Sequence, residues 1–155
     1  MALTVGDILF VDTNVLLTAT DESRLQHWHA TQLLAGSNRY GLRLAVSGQI
    51  LREYLVVATR PVDANGLGLD ARDATANVNE FLRHLDLYDE TVEVFAQLRR
   101  LARLYGLRGK RLHDANIVAT MMTHGIRALV TQNPEDFAPF DKIALVDMVE
   151  VVGRR

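Results

Sequence analysis

The stretch that decides the fold is ILFVDTNVLL, residues 8–17. Its first four residues, 8–11, are all apolar, which is typical of a strand buried on both faces of a parallel sheet. Asp12 follows this strand directly, and a helical apolar pattern begins at Val15. An acid at the carboxyl end of a buried strand lies where open α/β sheets bind their ligands. The same acid could cap the next helix, so this stretch alone leaves both interpretations open.

Further along the chain, short apolar runs alternate with stretches of helical periodicity. We predict strands at 42–46, 87–88 and 126–130, helices at 21–34, 49–60, from Asp70 onward, 89–105 and 112–123, and one or two edge strands within 142–152. Strands that alternate with helices predict a three-layer α/β/α fold whose central sheet is mainly parallel. The chain shows no internal repeat or linker, so residues 1–155 are expected to form a single domain.

The composition limits the kind of site that this chain can carry. It has 155 residues, 48% of them hydrophobic, and no cysteine, so any metal must be held by oxygen or imidazole. The N-terminus does not resemble a signal peptide, and no apolar run approaches the ~20 residues that span a membrane. We therefore expect a soluble cytoplasmic protein with no membrane association.

The formal net charge is −2, but the basic residues are unevenly distributed. One segment holds Arg99, Arg100, Arg103, Arg108, Lys110 and Arg111. The first three fall in the last turns of a predicted helix, where they either balance the helix dipole or contact phosphate groups of a ligand. The other three lie around a short glycine-containing loop and are candidates for contact with a phosphate-bearing substrate.

Glu53 occupies an unexpected position in the predicted helix at 49–60. Ile50, Tyr54 and Val57 form the apolar stripe of this helix, and Glu53 falls on the same stripe. Burying an unpaired charge is costly. Glu53 is therefore expected either to pair with an arginine or to face other acids around a metal.

Other polar residues are predicted to reach the same edge of the sheet. Asp114 lies in the first turn of the helix at 112–123, where the helix dipole also favours an acid. Thr131, Asn133 and Asp136 follow the strand at 126–130. Because strand carboxyl ends and helix amino ends meet at one edge of a parallel sheet, we expect these groups to lie near Asp12.

Such a cluster of acids has a chemical consequence. Several carboxylates within a few ångströms repel one another, and hard divalent cations relieve that repulsion. Oxygen ligands favour Mg²⁺ or Mn²⁺, as one ion or as two ions ~3.5–4 Å apart that activate water and clamp a phosphodiester. No Ser–His–Asp arrangement or G-x-S-x-G motif suggests a covalent nucleophile.

Four motifs together resemble a known family. VDTNVLL at 11–17, QILREY at 49–54, HDANIVAT at 113–120 and TQNPEDF at 131–137 are similar, in this order, to PIN-domain nucleases and most closely to VapC-type toxins of VapBC toxin–antitoxin modules. The resemblance implies a PIN-like fold and an Mg²⁺- or Mn²⁺-dependent endoribonuclease that leaves a 5′-phosphate and a 3′-hydroxyl. It also implies that Asp12, Glu53 and Asp114 are the catalytic, metal-binding acids.

The chain departs from the family pattern at Asn133, where many members carry an acid. Asn133 coordinates without charge, so a second metal would be held less tightly unless Asp136 substitutes; alternatively, Asp136 caps the turn before Phe137. Thr13 and Thr131 are expected to orient the acids or a metal-bound water through their hydroxyls.

The resemblance also implies an RNA substrate, a homodimer and a small cognate antitoxin that covers the acidic site and inserts a basic side chain. Two alternatives stay open. A PIN-like fold without its metal would be an RNA- or protein-binding module. A haloacid-dehalogenase-type phosphatase also has an apolar strand that ends in an acid, but its chemistry requires a second acid where this chain has Asn14.

Overall fold

A computed structural model of the chain describes residues 2–153 and contains a five-stranded, wholly parallel sheet. The strands are β1 (Ile8–Val11), β2 (Arg43–Ser47), β3 (Leu85–Tyr88), β4 (Ala128–Val130) and β5 (Ala144–Val146), in the spatial order β3-β2-β1-β4-β5. The prediction of an α/β fold with a mainly parallel central sheet is confirmed.

The first strand lies at the centre of this sheet because its residues are apolar on both faces. Leu9, Phe10 and Val11 are completely buried. Phe10 lies opposite Ala45 of β2 and Leu129 of β4. Continuous apolar runs of this kind suit strands that are covered by helices on both sides.

Helices cover the sheet in two packed groups. They are α1 (Thr13–Thr20), α2 (His27–Gly36), α3 (Gly48–Thr59), α4 (Ala71–Phe81), α5 (Val92–Tyr105), α6 (Arg111–Thr123), α7 (Pro134–Phe137) and α8 (Met148–Val152). Helices α1 to α4 and α8 contact one another, and α5, α6 and α7 form the second group. Within the described part of the chain, no helix is long and apolar enough to cross a membrane.

The order of the strands creates a switch point at the centre of the sheet. The chain runs from β1 to β2 and β3 in one direction and then returns across the sheet to β4 and β5. Right-handed crossovers then place the two helix groups on opposite faces. The crevice where the direction reverses lies at the carboxyl ends of β1 and β4, which is where such sheets bind ligands.

The predicted helix at 21–34 is wrong at its start. Helix α1 ends at Thr20, and α2 begins only at His27. Asp21 accepts hydrogen bonds from the backbone and the hydroxyl of Ser23, which stabilises a turn in place of a helix. Leu25, an apolar residue within the predicted helix, is 97% exposed.

The tail and the apolar side of α4 also differ from prediction. Within 142–152, β5 is an edge strand as predicted, but the second apolar run forms α8, because Asp147 caps it by accepting from the backbone N–H of Val149. The helical apolar pattern that begins after Asp70 continues through Leu82 and Leu85, but Leu82 is exposed and Leu85 belongs to β3.

Candidate active site

Asp12 is both a helix cap and part of the candidate site. Its Oδ1 accepts from the backbone N–H of Thr13 at 2.8 Å, which caps α1. Its Oδ2 accepts from the hydroxyl of Thr131 at 2.7 Å, which joins the end of β1 to the end of β4. The side chain is nearly buried, with 8% of its surface exposed. The two interpretations of Asp12 are therefore compatible.

Glu53 faces inward from α3, between the buried residues Ile50 and Tyr54. Its Oε2 accepts from the Thr13 hydroxyl at 3.0 Å, and its Oε1 accepts from Gln49 Nε2 at 2.9 Å. No cation in the range 2–153 forms an ion pair with Glu53. Polar side chains, and not an arginine, therefore satisfy this carboxylate.

Asp114 lies in the first turn of α6 and is partly buried. Burial, together with the negative charges of Asp136, Asp12 and Glu53, raises the pKa of Asp114 to about 6, against the opposing effect of Arg111. The four acids therefore share one electrostatic neighbourhood, since a raised carboxyl pKa reports both lost hydration and nearby negative charge.

The pKa of Asp12 is affected by the same surrounding acids. Burial is the main cause that raises the pKa of Asp12, and the charges of Glu53 and Asp136 raise it further. The hydrogen bonds from Thr131 and Thr13 act in the opposite direction because they favour the charged form. The Thr131 hydroxyl thus bonds Asp12 directly, whereas Thr13 bonds Asp12 through its backbone N–H and uses its hydroxyl for Glu53.

Asp136 does not cap the turn before Phe137. It lies in the first turn of the short helix α7, whose cap position is occupied by Asn133. The Asn133 side chain is exposed, and its backbone N–H donates to the Thr131 hydroxyl at 3.0 Å. Asp136 is thus the acid from this segment whose charge reaches Asp12 and Asp114.

Asn14 stabilises the junction between the two strand ends. Its Nδ2 lies 3.4 Å from Asp12 Oδ2 and 3.3 Å from Thr131 Oγ1, and its Oδ1 accepts from the backbone N–H of Gln132 at 3.2 Å. An amide that donates to Asp12 is not the general acid that a dehalogenase-type phosphatase needs. This arrangement counts against the phosphatase interpretation.

The donor set fits a hard divalent cation in its chemistry. All the acids offer oxygen, and burial followed by neighbouring negative charge raises the pKa of both Asp12 and Asp114, an environment that a bound cation would relieve. A carboxylate oxygen with one hydrogen bond keeps a second lone pair for a ligand. As placed, however, no three His, Cys, Asp or Glu side chains within residues 2–153 are grouped closely enough to hold a metal ion.

The sequence analysis did not predict the amide side chains that surround Glu53. Gln49 bonds Glu53 and the backbone carbonyl of His113, and Asn116 donates to both Gln49 and Glu90. One local signal was present, because Gln49 precedes Glu53 by four residues and so lies on the same face of α3. His113 and Asn116, the partners on α6, had no comparable pattern in the sequence.

One surface cavity adjoins the site at Thr131, although none of the four acids lines it. This cavity has a volume of about 550 Å³ and is lined in part by Arg24, Thr131 and Gln132. Arg108 and Lys110 are exposed in the connection between α5 and α6, and the exposed Arg111 begins α6. Of these three cations, Arg111 is the one whose charge lowers the pKa of Asp114.

A comparison with protein families matches the family model described as PIN domain to residues 9–144. This match covers all four motifs completely, and most of the sheet. A comparison with curated proteins found no match.

Solved structures resemble this chain over most of its length. VapBC2 from Rickettsia felis, bound to a DNA fragment from its promoter, has a TM-score of 0.65 at 19% identity, over 90% of this chain and 98% of that one. A toxin–antitoxin complex from Klebsiella pneumoniae has a TM-score of 0.62 at 22% identity, over 90% and 97%. VapC20 of Mycobacterium tuberculosis, a toxin that cleaves the sarcin–ricin loop, has a TM-score of 0.65 at 19% identity, over 85% and 95%. At these identities the likeness shows the fold.

Proposed function

The chain belongs to the PIN domain family, and from this premise we propose that it is an Mg²⁺- or Mn²⁺-dependent endoribonuclease, the VapC-type toxin of a toxin–antitoxin pair. The enzyme is a single PIN domain over residues 1–155 that hydrolyses RNA phosphodiester bonds. A toxin that cleaves cellular RNA acts in the cytoplasm, where we place it.

One observation carries this proposal more than any other. Asp12, Glu53, Asp114 and Asp136 are brought within reach of each other's charge at the switch point of the sheet. An arrangement that raises the pKa of two acids lowers the stability of the folded protein at neutral pH when no cation is bound. Such destabilisation is typical of functional sites, where a bound ligand offsets it.

Each residue has a role in the proposed reaction. Asp12, Glu53 and Asp114 hold the cation, with Asp136 and Asn133 as weaker ligands, while Thr13 and Thr131 orient the acids through the bonds described above. When bound, Mg²⁺ or Mn²⁺ lowers the pKa of a water and neutralises charge on the phosphodiester. Arg108, Lys110 and Arg111 bind the RNA backbone electrostatically.

The test is cleavage of structured RNA by the purified protein with Mg²⁺ or Mn²⁺. Asp12→Asn and Asp114→Asn are expected to lower the rate at least ~100-fold, because removing groups that bind or orient a catalytic metal has effects of this order or more. EDTA is expected to stop the reaction, and product ends should be a 5′-phosphate and a 3′-hydroxyl. Cleavage that is unchanged in both variants contradicts the proposal.

A second candidate is a PIN-like module that binds RNA or protein without catalysis. It is favoured by the exposed, uncharged Asn133 and by the lack of a preassembled metal cage within residues 2–153. RNA binding that survives EDTA, with no cleavage under any divalent metal, would support this module in place of the nuclease.

We also propose a homodimer and a small antitoxin whose basic side chain enters the acidic site. The neighbours described as VapBC and toxin–antitoxin complexes support such a partner. Val92 and Phe95, about one turn apart on α5, are large apolar residues that remain exposed and so are available to an interface. Light scattering on the purified chain tests the dimer. Co-expression with the product of a small adjacent reading frame tests the antitoxin.

A further inference from the structure

A buried amide connects two of the helices that carry the acids. Gln49 on α3 is 1% exposed. Its Nε2 donates to Glu53 Oε1 and to the backbone carbonyl of His113, each at 2.9 Å. Its Oε1 accepts from Asn116 Nδ2 at 2.7 Å. Both ends of the amide are therefore used, and its bonds reach from α3 to α6.

The orientation of this amide follows from the chemistry of its neighbours. The Glu53 carboxylate and the His113 carbonyl only accept hydrogen bonds, so the Gln49 nitrogen must face them. Asn116 presents its own nitrogen to the Gln49 oxygen, and the same nitrogen donates to Glu90 Oε1 at 2.7 Å. Turning either amide around would place oxygen against oxygen. The two amides are therefore fixed in orientation, and the nitrogen of each donates to a carboxylate.

We propose that Gln49 is a positioning residue of the acid cluster, which holds the Glu53 carboxylate and ties it to the first turn of α6. This inference rests on the proposed function. His113 directly precedes Asp114, so the bond from Gln49 to the His113 carbonyl couples two acid-bearing segments. Thr13 binds the other oxygen of Glu53, so the carboxylate cannot rotate without losing a bond.

This arrangement affects metal binding through Glu53. A carboxylate that is held in one orientation loses less freedom when it coordinates a cation, and each Glu53 oxygen, having accepted one hydrogen bond, keeps a second lone pair for a ligand. Removing a group that orients a metal ligand typically costs about 10–100-fold in metal affinity. A buried glutamine that served only to fill space would have no such effect.

The experiment is a double-mutant cycle on Mn²⁺ affinity, measured by titration calorimetry on the full chain. Gln49→Met keeps the length of the side chain and removes its hydrogen bonds, and is expected to weaken Mn²⁺ binding about tenfold. In the Glu53→Ala background the same substitution is expected to have little further effect, because the group through which Gln49 acts is gone. Losses that multiply independently in the double variant overturn the inference.

A matched control separates positioning from general loosening of α6. Thr120 is buried on the same helix, and its hydroxyl donates to the Asn116 backbone carbonyl at 2.8 Å, not to the amide. Thr120→Val is expected to lower the melting temperature while leaving Mn²⁺ affinity unchanged. If it weakens Mn²⁺ binding as much as Gln49→Met does, the positioning role is wrong.

Two further outcomes are distinguishable. If Gln49→Met does not fold, Asn116→Ala removes the bond to the Gln49 oxygen, and a smaller loss of Mn²⁺ affinity that disappears in Glu53→Ala supports the inference. An unchanged affinity in Asn116→Ala overturns it. If the wild-type protein neither binds Mn²⁺ nor cleaves RNA, the proposed function fails and this inference fails with it.

Discussion

At the scale of single residues, the acids of this site combine a local role with a long-range one. Asp12 caps α1 and also accepts a hydrogen bond from Thr131, which follows the neighbouring strand β4. Asp114 lies in the first turn of α6, where the helix dipole favours it, and also feels the repulsion of three other acids. In the metal-free protein the repulsion and the burial outweigh the dipole, because the pKa of Asp114 rises.

This balance predicts how the stability of the metal-free protein depends on pH. The folded chain holds the Asp114 proton with a pKa of about 6, against an ordinary value of 3.8. The resulting stabilisation is complete below the unfolded pKa and is lost as the pH rises through the folded value. Asp114→Asn is therefore expected to be more stable than wild type at pH 7, by about 1 kcal/mol once its partial exposure is considered. The difference should vanish toward about pH 4.

Urea unfolding in EDTA at several pH values measures this effect. Asp73→Asn is the matched control, since Asp73 lies exposed in the first turn of α4. That variant loses a favourable dipole interaction without relieving repulsion, so it should be slightly less stable than wild type near neutral pH. An Asp114→Asn variant that is also less stable at pH 7 would show that repulsion does not dominate.

At the scale of elements, the connection from α3 to α4 is tightly folded against the end of α3. The backbone N–H groups of Leu67 and Leu69 donate to the carbonyls of Val57 and Ala58. Gly66 lies inside this connection, and its own N–H donates to the carbonyl of Pro61. A Cβ atom at Gly66 would collide with the backbone carbonyl of Arg60, because it would lie far inside any real contact distance.

Gly66→Ala is therefore expected to destabilise the protein by about 2–3 kcal/mol, because backbone must move to admit the methyl group. For a domain of this size the melting temperature should fall by roughly 4–10 °C. Gly36→Ala serves as the comparison, since its Cβ would lie an unstrained 3.6 Å from Tyr40. Calorimetry on both variants checks the prediction, and equal melting temperatures would refute it.

At the scale of the whole molecule, the sheet topology decides which acids meet. Because β1 and β4 are neighbours, Asp12 and Thr131 come together although they are 119 residues apart in sequence. Helices α3 and α6 then bring Glu53 and Asp114 to the same crevice. The repulsion among these charges lowers the free energy of unfolding of the whole domain. A cation bound in the crevice should therefore stabilise the molecule as a whole.

We therefore expect Mn²⁺ to raise the melting temperature of the wild-type protein. At a free concentration about 100 times the dissociation constant, binding to the native state contributes about 2.7 kcal/mol, or roughly 5–10 °C. Asp12→Asn should lose most of this gain, and EDTA should reverse it. A Mn²⁺-induced shift of the same size in Asp12→Asn would place the binding site elsewhere.

Much of the fold was readable from local patterns. The buried run at 8–11, the stripe of α3 and the end of α5 at Gly106, which adopts a left-handed conformation, are each determined within about ten residues. The errors arose where a side chain–backbone bond competed with periodicity. The bonds from Ser23 to Asp21 form a turn where the start of a helix was predicted, and Asp147 caps a helix where a second edge strand was one of the two expectations.

The sequence by itself determined most of the elements, the parallel sheet, the family and the identity of the candidate acids, because periodicity, caps and motifs are properties of neighbouring residues. Only the tertiary structure decided that the charge of Asp136, which is exposed like Asn133, acts on Asp12 and Asp114. It also decided that Gln49 donates to Glu53 while Asn116 donates to Gln49. These contacts join residues that are far apart in the chain. Their formation depends on strand order and on how helices pack across the sheet, and no local pattern encodes either.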